Sequence, residues 1–260
     1  MNPVEVTQPN CPVVLAMPHS GTYVPPEIAD KLNETGKLLA DTDWHIDRLY
    51  DGLLPEAGIV KANFHRYVID ANRSPEGGSL YPGQNTTTLC PLTDFDGKPI
   101  WKEGMAPDDA EIKNRTEHFH APYHDALRTM LESVKAQYGY ALLYDCHSIR
   151  SEAPFLFEGV LPTLNIGTND GKSCAPVFEK VTAACCEKSA FSTVVNGRFK
   201  GGWTTRHYGQ PVNNIHAVQM EIAQSAYMVE EAPWNYVSER AENLRALLGS
   251  LLSELKNTKA

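Results

Sequence analysis

Two histidines and a glutamate stand where short apolar runs give out. Val13 to Met17 leads into Pro18-His19-Ser20-Gly21, Tyr140 to Tyr144 leads into Asp145-Cys146-His147-Ser148, and Ala217 to Ile222 carries Glu221 near its end. Short runs rich in Val, Ile, Leu and Tyr, bounded by turn formers, predict buried strands. In an open α/β sheet, ligands gather at the carboxyl ends of the strands, so these three residues are predicted to meet at one rim. Two imidazoles and a carboxylate there could make, or complete, a zinc site. A catalytic zinc takes three protein ligands and keeps one position open, so a second carboxylate is wanted. Asp43 and Asp47 fall one turn apart on an expected helix, share a face, and either can supply it.

Taken singly, most of these residues have a plainer role. A histidine after a strand is more often a hydrogen-bonded structural group, and an aspartate on a helix usually starts or solvates it. Glu221, flanked by Met220 and Ile222, is harder to dismiss. A carboxylate inside an apolar strand is costly to bury unless a metal, an arginine or hydrogen bonds receive it.

A further run, Tyr67 to Ile69, ends in Asp70-Ala71-Asn72-Arg73, and Arg206 lies in Thr204-Thr205-Arg206-His207-Tyr208-Gly209. A guanidinium offers a fork of donors that matches a carboxylate. Two of them in loops near a metal would suit a small dicarboxylate, although either alone would serve equally as a surface salt bridge. His118, His120 and His124 form H-x-H-x-x-x-H, with the last two a helical turn apart. The Glu of a helical H-E-x-x-H motif is missing and Pro122 intervenes, so substrate-side or helix-start roles are expected for them. Cys11, Cys90, Cys146, Cys174, Cys185 and Cys186 form no C-x-x-C pair. That spacing excludes a zinc ribbon, and the thiols are expected to be reduced and buried or incidental.

Helices must alternate with these strands. The spacing predicts them over residues 41–54, 121–138, 175–188 and 235–256. In the second, Leu127, Met130, Leu131 and Val134 recur at helical intervals, Pro122 sits near the start and Gly139 stops it. The pattern predicts an α/β three-layer sandwich, a mixed but mainly parallel sheet with helices on both faces. Gly77 to Pro107 and Gly197 to Asn214 read as long loop excursions, a kind of segment that is usually functional or disordered. The 260 residues, 42% of them hydrophobic and 21% charged, are read as one domain spanning residues 1–260. A formal charge of -9 and pI near 5.5 argue against nucleic acid or anionic lipid as partner. No apolar run approaches the roughly 18 residues that span a bilayer. The N-terminus lacks the pattern of a signal peptide, so a cytoplasmic location is expected.

Together the motifs resemble the N-formylglutamate amidohydrolase family. They are Pro18-His19-Ser20-Gly21, the segment from Thr42 to Tyr50, Asp70-Ala71-Asn72-Arg73-Ser74-Pro75, Asp145-Cys146-His147-Ser148-Ile149, Arg198-Phe199-Lys200-Gly201-Gly202, the segment from Thr205 to Pro211, and Val218-Gln219-Met220-Glu221-Ile222. Singly each is weak, but seven in order from about residue 12 to 225 are specific. The resemblance implies hydrolysis of N-formyl-L-glutamate to formate and L-glutamate, the last step of one histidine-degradation route. It also implies a fold like that of zinc exopeptidases such as the carboxypeptidases and aspartoacylases.

Carried over residue by residue, the resemblance makes His19 and His147 ligands of one Zn2+, other divalent metals being allowed. An acidic residue between Asp43 and Asp47 is the third ligand, with Asp47 expected and Asp43 the alternative. Glu221 matches a strand-end general base. Asn72-Arg73 looks like the pair that grips a substrate carboxylate, and Arg206 with His207 completes the expected substrate-binding set. Asp145 is placed to orient His147 from behind. One departure stands out. The exopeptidase pattern has a Glu close behind the first His, whereas Ser20-Gly21-Thr22 follows here, so the carboxylate must come from the later segment. In the expected reaction zinc acidifies a water, Glu221 shuttles its proton to the departing amine, and zinc with a nearby arginine steadies the oxyanion.

Three other readings compete. The first keeps the zinc and changes the substrate to another N-acyl amino acid or a γ-glutamyl or peptide bond. The second uses Cys146 as a nucleophile beside His147, although adjacent residues on an extended chain face opposite sides. The third, a non-catalytic binder, has no need of a general base such as Glu221.

Overall fold

A computed structural model describes residues 1–78 and 85–259, and one sheet of seven strands organises the described residues. In chain order these are β1 (Val4–Thr7), β2 (Val13–Met17), β3 (Gly58–Ala62), β4 (Ala141–Ile149), β5 (Leu164–Gly167), β6 (Thr193–Val195) and β7 (Ile215–Ala223). In space the order is β1-β3-β2-β4-β7-β5-β6. The central strands β3, β2, β4 and β7 run parallel. β1 is antiparallel to β3 and β5 to β7, while β6 follows β5 in parallel. The helices are α1 (Pro26–Ala29), α2 (Glu34–Lys37), α3 (Ile46–Tyr50), α4 (Asp109–Arg115), α5 (Ala121–Tyr138), α6 (Pro176–Glu187), α7 (Trp203–Tyr208) and α8 (Ser238–Asn257). A π-helical turn, Thr116–His120, joins α4 to α5. The predicted mixed, mainly parallel sheet between helical layers is the observed architecture.

Side-chain parity divides the molecule. On β4 and β7, Ala141, Leu143, Ile215 and Ala217 face a core shared with Tyr123, Leu127, Leu131 and Val134 of α5. Leu142, Tyr144, Cys146, Val218 and Met220 face the opposite core with α3, α6 and α8. Alternation of this kind is the period-two rule of an extended chain. It therefore puts Asp145, His147, Gln219 and Glu221 on the α5 side, at the carboxyl ends of their strands. The parallel register pairs His147 with Glu221 and Asp145 with Gln219. All nine residues of each strand are buried, so these polar groups must find partners inside the protein. The α5 helix ends as its sequence implies. Gly139 adopts φ 84° and donates its N–H to the Lys135 carbonyl, a left-handed stop that glycine takes without strain.

Several expected elements differ. Tyr67 to Ile69 is a buried turn rather than a strand. Val68 N–H donates to His65 O at 2.9 Å and Asp70 N–H to Leu89 O at 2.7 Å, so the backbone is satisfied without a ladder. A short apolar run has no period that separates strand from turn. The strand beside β2 is Gly58–Ala62, whose interior lysine and leading glycine hide it. The helix expected over 41–54 contracts to α3 because His45 takes φ 62°, outside the right-handed region. β4 runs on to Ile149, so His147 lies within a strand rather than after it. Of the excursion from Gly77 to Pro107, residues 79–84 lie outside the described residues. The described part holds isolated bridges such as Thr93 with Pro99. The second excursion contains α7. No helix among the described residues is long and apolar enough to cross a membrane.

Adjacent positions on α8 give a test of the packing. Leu248 is fully buried, and Leu248→Ala is expected to destabilise by about 2–5 kcal/mol. A methyl at Gly249 would meet only Leu53 Cδ2, at 3.8 Å, so Gly249→Ala should stabilise by about 0.5–1 kcal/mol. Urea unfolding of the two variants checks both signs.

Candidate metal centre and cleft

His19 leaves the end of β2, and its carbonyl accepts the Asp43 N–H at 3.0 Å, which ties the segment before α3 to the sheet rim. The left-handed turn at His45 then separates Asp43 from the helix. Asp43 is buried, and its Oδ2 lies 3.0 Å from His147 Nδ1, 3.7 Å from His19 Nδ1 and 3.1 Å from the Ser148 N–H that donates to it. Ligand atoms of His19, Asp43 and His147 all fall within 4.8 Å of one another. Donors around a tetrahedral zinc, at about 2.0–2.1 Å from the ion, stand roughly 3.4 Å apart. The 3.0 and 3.7 Å separations bracket that value, and the donor set suits the ion.

The far side of each imidazole is also built for this. Asp70 Oδ1 lies 2.7 Å from His19 Nε2, and Asp145 Oδ1 lies 3.1 Å from His147 Nε2. A carboxylate can only accept, so at His19 the Asp70 contact draws the ring proton to Nε2 and leaves the Nδ1 lone pair facing the cluster. Asp70 also accepts from Arg66 Nη2 at 2.5 Å and from the Asn72 N–H at 2.8 Å. Asp145 Oδ2 accepts from Thr205 Oγ1 at 2.8 Å. Burial alone would raise Asp43 and Asp70. The imidazoles overcome it at Asp43, and chiefly Arg66 does so at Asp70, so both carboxyls sit well below the usual range. Burial opposes a charge on His147, but Asp145 and Asp43 outweigh it and raise its pKa well above the ordinary value.

Glu221 behaves differently. Burial pushes it up to about 8; His147 and Arg66 oppose the shift, while Asp43 and Asp145 add to it. A divalent cation nearby would favour its ionised form. Its Oε2 accepts from Gln219 Nε2 at 3.0 Å, and Gln219 Oε1 accepts from the Gly202 N–H at 2.7 Å. The α7 end is thereby linked to the glutamate. Asn72 is held as firmly: Oδ1 accepts from the Thr204 N–H at 2.8 Å, and Nδ2 lies 3.1 Å from His147 Nε2. A Cβ at Gly202 would sit 2.3 Å from Asn72 Nδ2, so the close approach requires glycine there.

These groups open into a cleft lined among others by His19, Asp43, Arg66, Asn72, Arg73, His147, Arg198, Phe199 and Glu221. Of the residues expected from sequence, the structure brings together His19, Asp43, His147, Glu221, Asn72, Arg73 and Asp145. It does not bring Asp47, whose exposed carboxylate lies 3.6 Å from Lys61 Nζ and accepts the Arg48 N–H. The left-handed His45 takes Asp43 off the helix, so the two aspartates do not share the helix face expected of them, and the preference for Asp47 drawn from the resemblance is not what the geometry favours. Arg206 and His207 are also elsewhere. Arg206 Nε donates to Gly201 O at 2.8 Å, and His207 is exposed and stacks on Trp203 at 4.4 Å.

His120 and His124 are not metal ligands in this arrangement. Their Nε2 atoms lie 2.9 Å from Arg73 O and 2.8 Å from Ala71 O, so the π-helical turn and α5 together brace the loop on both sides of Asn72. His118 is exposed. Cys146 points into the opposite core, and burial, with Asp145 adding to it, pushes its thiol well above the ordinary range. The thiolate route loses its nucleophile.

Two lining arginines escaped sequence reasoning. Arg66 is buried, with Nη1 3.5 Å from His19 Nδ1 and Cζ 4.7 Å from the Phe95 ring centroid. Its i,i+4 spacing to Asp70 was the available signal. Arg198 sits in a quoted motif but carried no distinguishing neighbour.

The sequence profile of the N-formylglutamate amidohydrolase family matches residues 11–228, and the chain belongs to that family. Curated N-formylglutamate deformylases of Pseudomonas putida and Pseudomonas aeruginosa are 46% and 47% identical to it. Those matches cover 95% and 94% of this chain and 93% and 92% of theirs. A crystal structure of N-formylglutamate amidohydrolase from Ralstonia eutropha aligns with TM-score 0.81 at 23% identity over 99% of both chains. A gene product of Agrobacterium tumefaciens aligns with TM-score 0.72 at 20% identity, over 98% of this chain and 97% of that one. These two alignments show the shared fold.

The two aspartates can be separated by metal titration. Asp43→Ala is expected to weaken Zn2+ binding on the order of 100-fold or more, whereas Asp47→Ala should leave it within about threefold. Comparable losses in both would contradict the observed cluster.

Proposed function

We propose that this chain hydrolyses N-formyl-L-glutamate to formate and L-glutamate with the help of one divalent metal ion, zinc by its donor set. The reading is carried by one juxtaposition: His19, Asp43 and His147, with Glu221 paired beside His147, open into the same cleft as arginines suited to a carboxylate-bearing substrate. The names of the Pseudomonas relatives support the substrate. The reaction would be the last step of a histidine-degradation route, and the six free, buried cysteines suit a cytoplasmic setting.

His19, Asp43 and His147 would hold the ion, which when bound supplies Lewis acidity toward the formyl oxygen and acidifies the attacking water. Glu221 takes the proton from that water as its oxygen attacks the formyl carbon. It then returns the proton to the glutamate nitrogen as the C–N bond breaks, because an amine leaves readily only when protonated. Gln219 keeps the Glu221 carboxylate aimed by its hydrogen bond. Arg66, fixed by Asp70 and facing His19, supplies positive charge where the tetrahedral oxyanion develops. Asn72 and Arg73 bind the carboxylate nearest the scissile bond, and that contact sets the formyl carbon at a fixed distance from Glu221. Asp70 holds the His19 imidazole in the tautomer that ligation needs, and Asp145 supplies negative charge beside the His147 ring.

Formate release from N-formyl-L-glutamate, followed with metal content, tests this. Chelation is expected to abolish turnover and added Zn2+ to restore it. Glu221→Gln should retain the metal and lose about 10²–10⁴-fold in kcat. Full activity in metal-stripped protein, or an unchanged kcat in metal-replete Glu221→Gln, would overturn the mechanism.

A further inference from the structure

Asp43 and Glu221 are the carboxylates among the described residues that line the cleft, and Arg66, Arg73 and Arg198 contribute guanidiniums. Arg66 and Arg73 both face the buried Asp70, Arg73 with Nη1 4.0 Å from its Oδ2, whereas Arg198 donates to backbone carbonyls. Arg73 and Arg198 are both tied to residues 85–87. Arg73 donates from Nε to Thr87 O and from Nη2 to Thr87 Oγ1, each at 2.9 Å. Arg198 donates from Nη2 to Asn85 O at 3.3 Å and from Nε to Leu156 O at 3.1 Å. Bonds to backbone carbonyls orient a guanidinium without cancelling its charge. Phe199, also lining the cleft, has its ring centroid 5.3 Å from Arg198 Cζ, which further restrains the group. The cleft thus presents two oriented cations tied to one short segment, Arg73 on the Asp70 side and Arg198 beside Leu156 and Phe199.

We infer that Arg198 binds the distal carboxylate of the substrate, while Arg73 takes the carboxylate nearer the scissile amide. Arg198 is then the residue that selects an N-acyl amino acid with an acidic side chain. It takes the role that sequence spacing had suggested for Arg206, whose Nε is turned to Gly201 and which does not line the cleft. The assignment rests on the amidohydrolase reading above. It adds to that reading a specific recognition element, because a forked, charge-assisted contact discriminates strongly against a ligand that lacks the matching charge.

The test compares N-formyl-L-glutamate with N-formyl-L-glutamine, a neutral analogue of similar shape, in the metal-loaded enzyme. Losing a charge-assisted pair should lower the glutamate-to-glutamine ratio of kcat/KM about 100-fold in Arg198→Met, mainly through KM for the glutamate substrate. Arg198→Lys should recover part of that ratio, since charge remains but the fork is lost. An unchanged ratio in Arg198→Met, with both substrates slowed equally, would overturn the assignment and leave Arg198 as a loop support. Glutarate binding by calorimetry separates this outcome from failure of the function itself. If wild type releases no formate from either substrate, the amidohydrolase reading falls. A glutarate Kd that does not change in Arg198→Met would then sink the Arg198 site as well, and a rise of about 100-fold would uphold it.

Discussion

Four carboxylates, those of Asp43, Asp70, Asp145 and Glu221, are buried around a single buried guanidinium, that of Arg66. Taking an ion out of water costs several kcal/mol even after relaxation, so this imbalance governs how the region is built. Arg66 is committed to Asp70, and backbone N–H groups from Asn72 and Ser148 serve Asp70 and Asp43. Arg73 adds a second guanidinium 4.0 Å from Asp70, and Glu221, pushed up to about 8, keeps its own proton at neutral pH; the rest of the counter-charge comes from protons on the imidazoles or from a bound cation. The raised pKa of His147 is the proton version of that answer. A divalent ion between the same groups would displace those protons and meet the charge deficit more completely, which couples its binding to pH.

The sheet makes this concentration of charge affordable by keeping it at strand ends and on one face. Because β4 and β7 pair in register, a histidine and a glutamate stand side by side while their sequence neighbours Cys146 and Met220 fill the opposite core. Apolar packing beneath the site and polar chemistry at its surface are thus carried by alternate residues of the same strands. The loops then add what the strands lack: Asp43 from the segment before α3, Asn72 and Arg73 from the turn after β3, and Gly202 with Thr204 from the start of α7.

Sequence patterning made the strand-end residues legible because apolar runs and their polar exits are local signals. His19, His147, Glu221, Asn72, Arg73 and Asp145 all follow from such runs or lie beside them, and α5 was bounded by its own proline and glycine. What failed depended on backbone conformations that composition does not announce. The choice between Asp43 and Asp47 turns on a left-handed histidine, a conformation that few residues other than glycine take and that composition does not place at one position. Tyr67 to Ile69 looks like a strand because burial, not pairing, sets its apolar character. Arg66 and Arg198 matter through where a turn and a loop are carried in three dimensions. Arg206 had the more suggestive local context and sits outside the cleft.

The π-helical turn before α5 constrains the length of the chain. One residue more than an ordinary helix needs is accommodated at Thr116–His120; His120 at its end braces the Arg73 carbonyl, and His124 in the following α5 braces that of Ala71. Deleting a residue there would regularise the helix but rotate one side of the junction by about 100° relative to the other. Either α4 would lose the contacts of Arg115 with the Tyr67 and Val68 carbonyls, or α5 would turn His124, Leu127 and Leu131 away from theirs. Exchanging side chains around this junction therefore costs the fold far less than changing its length.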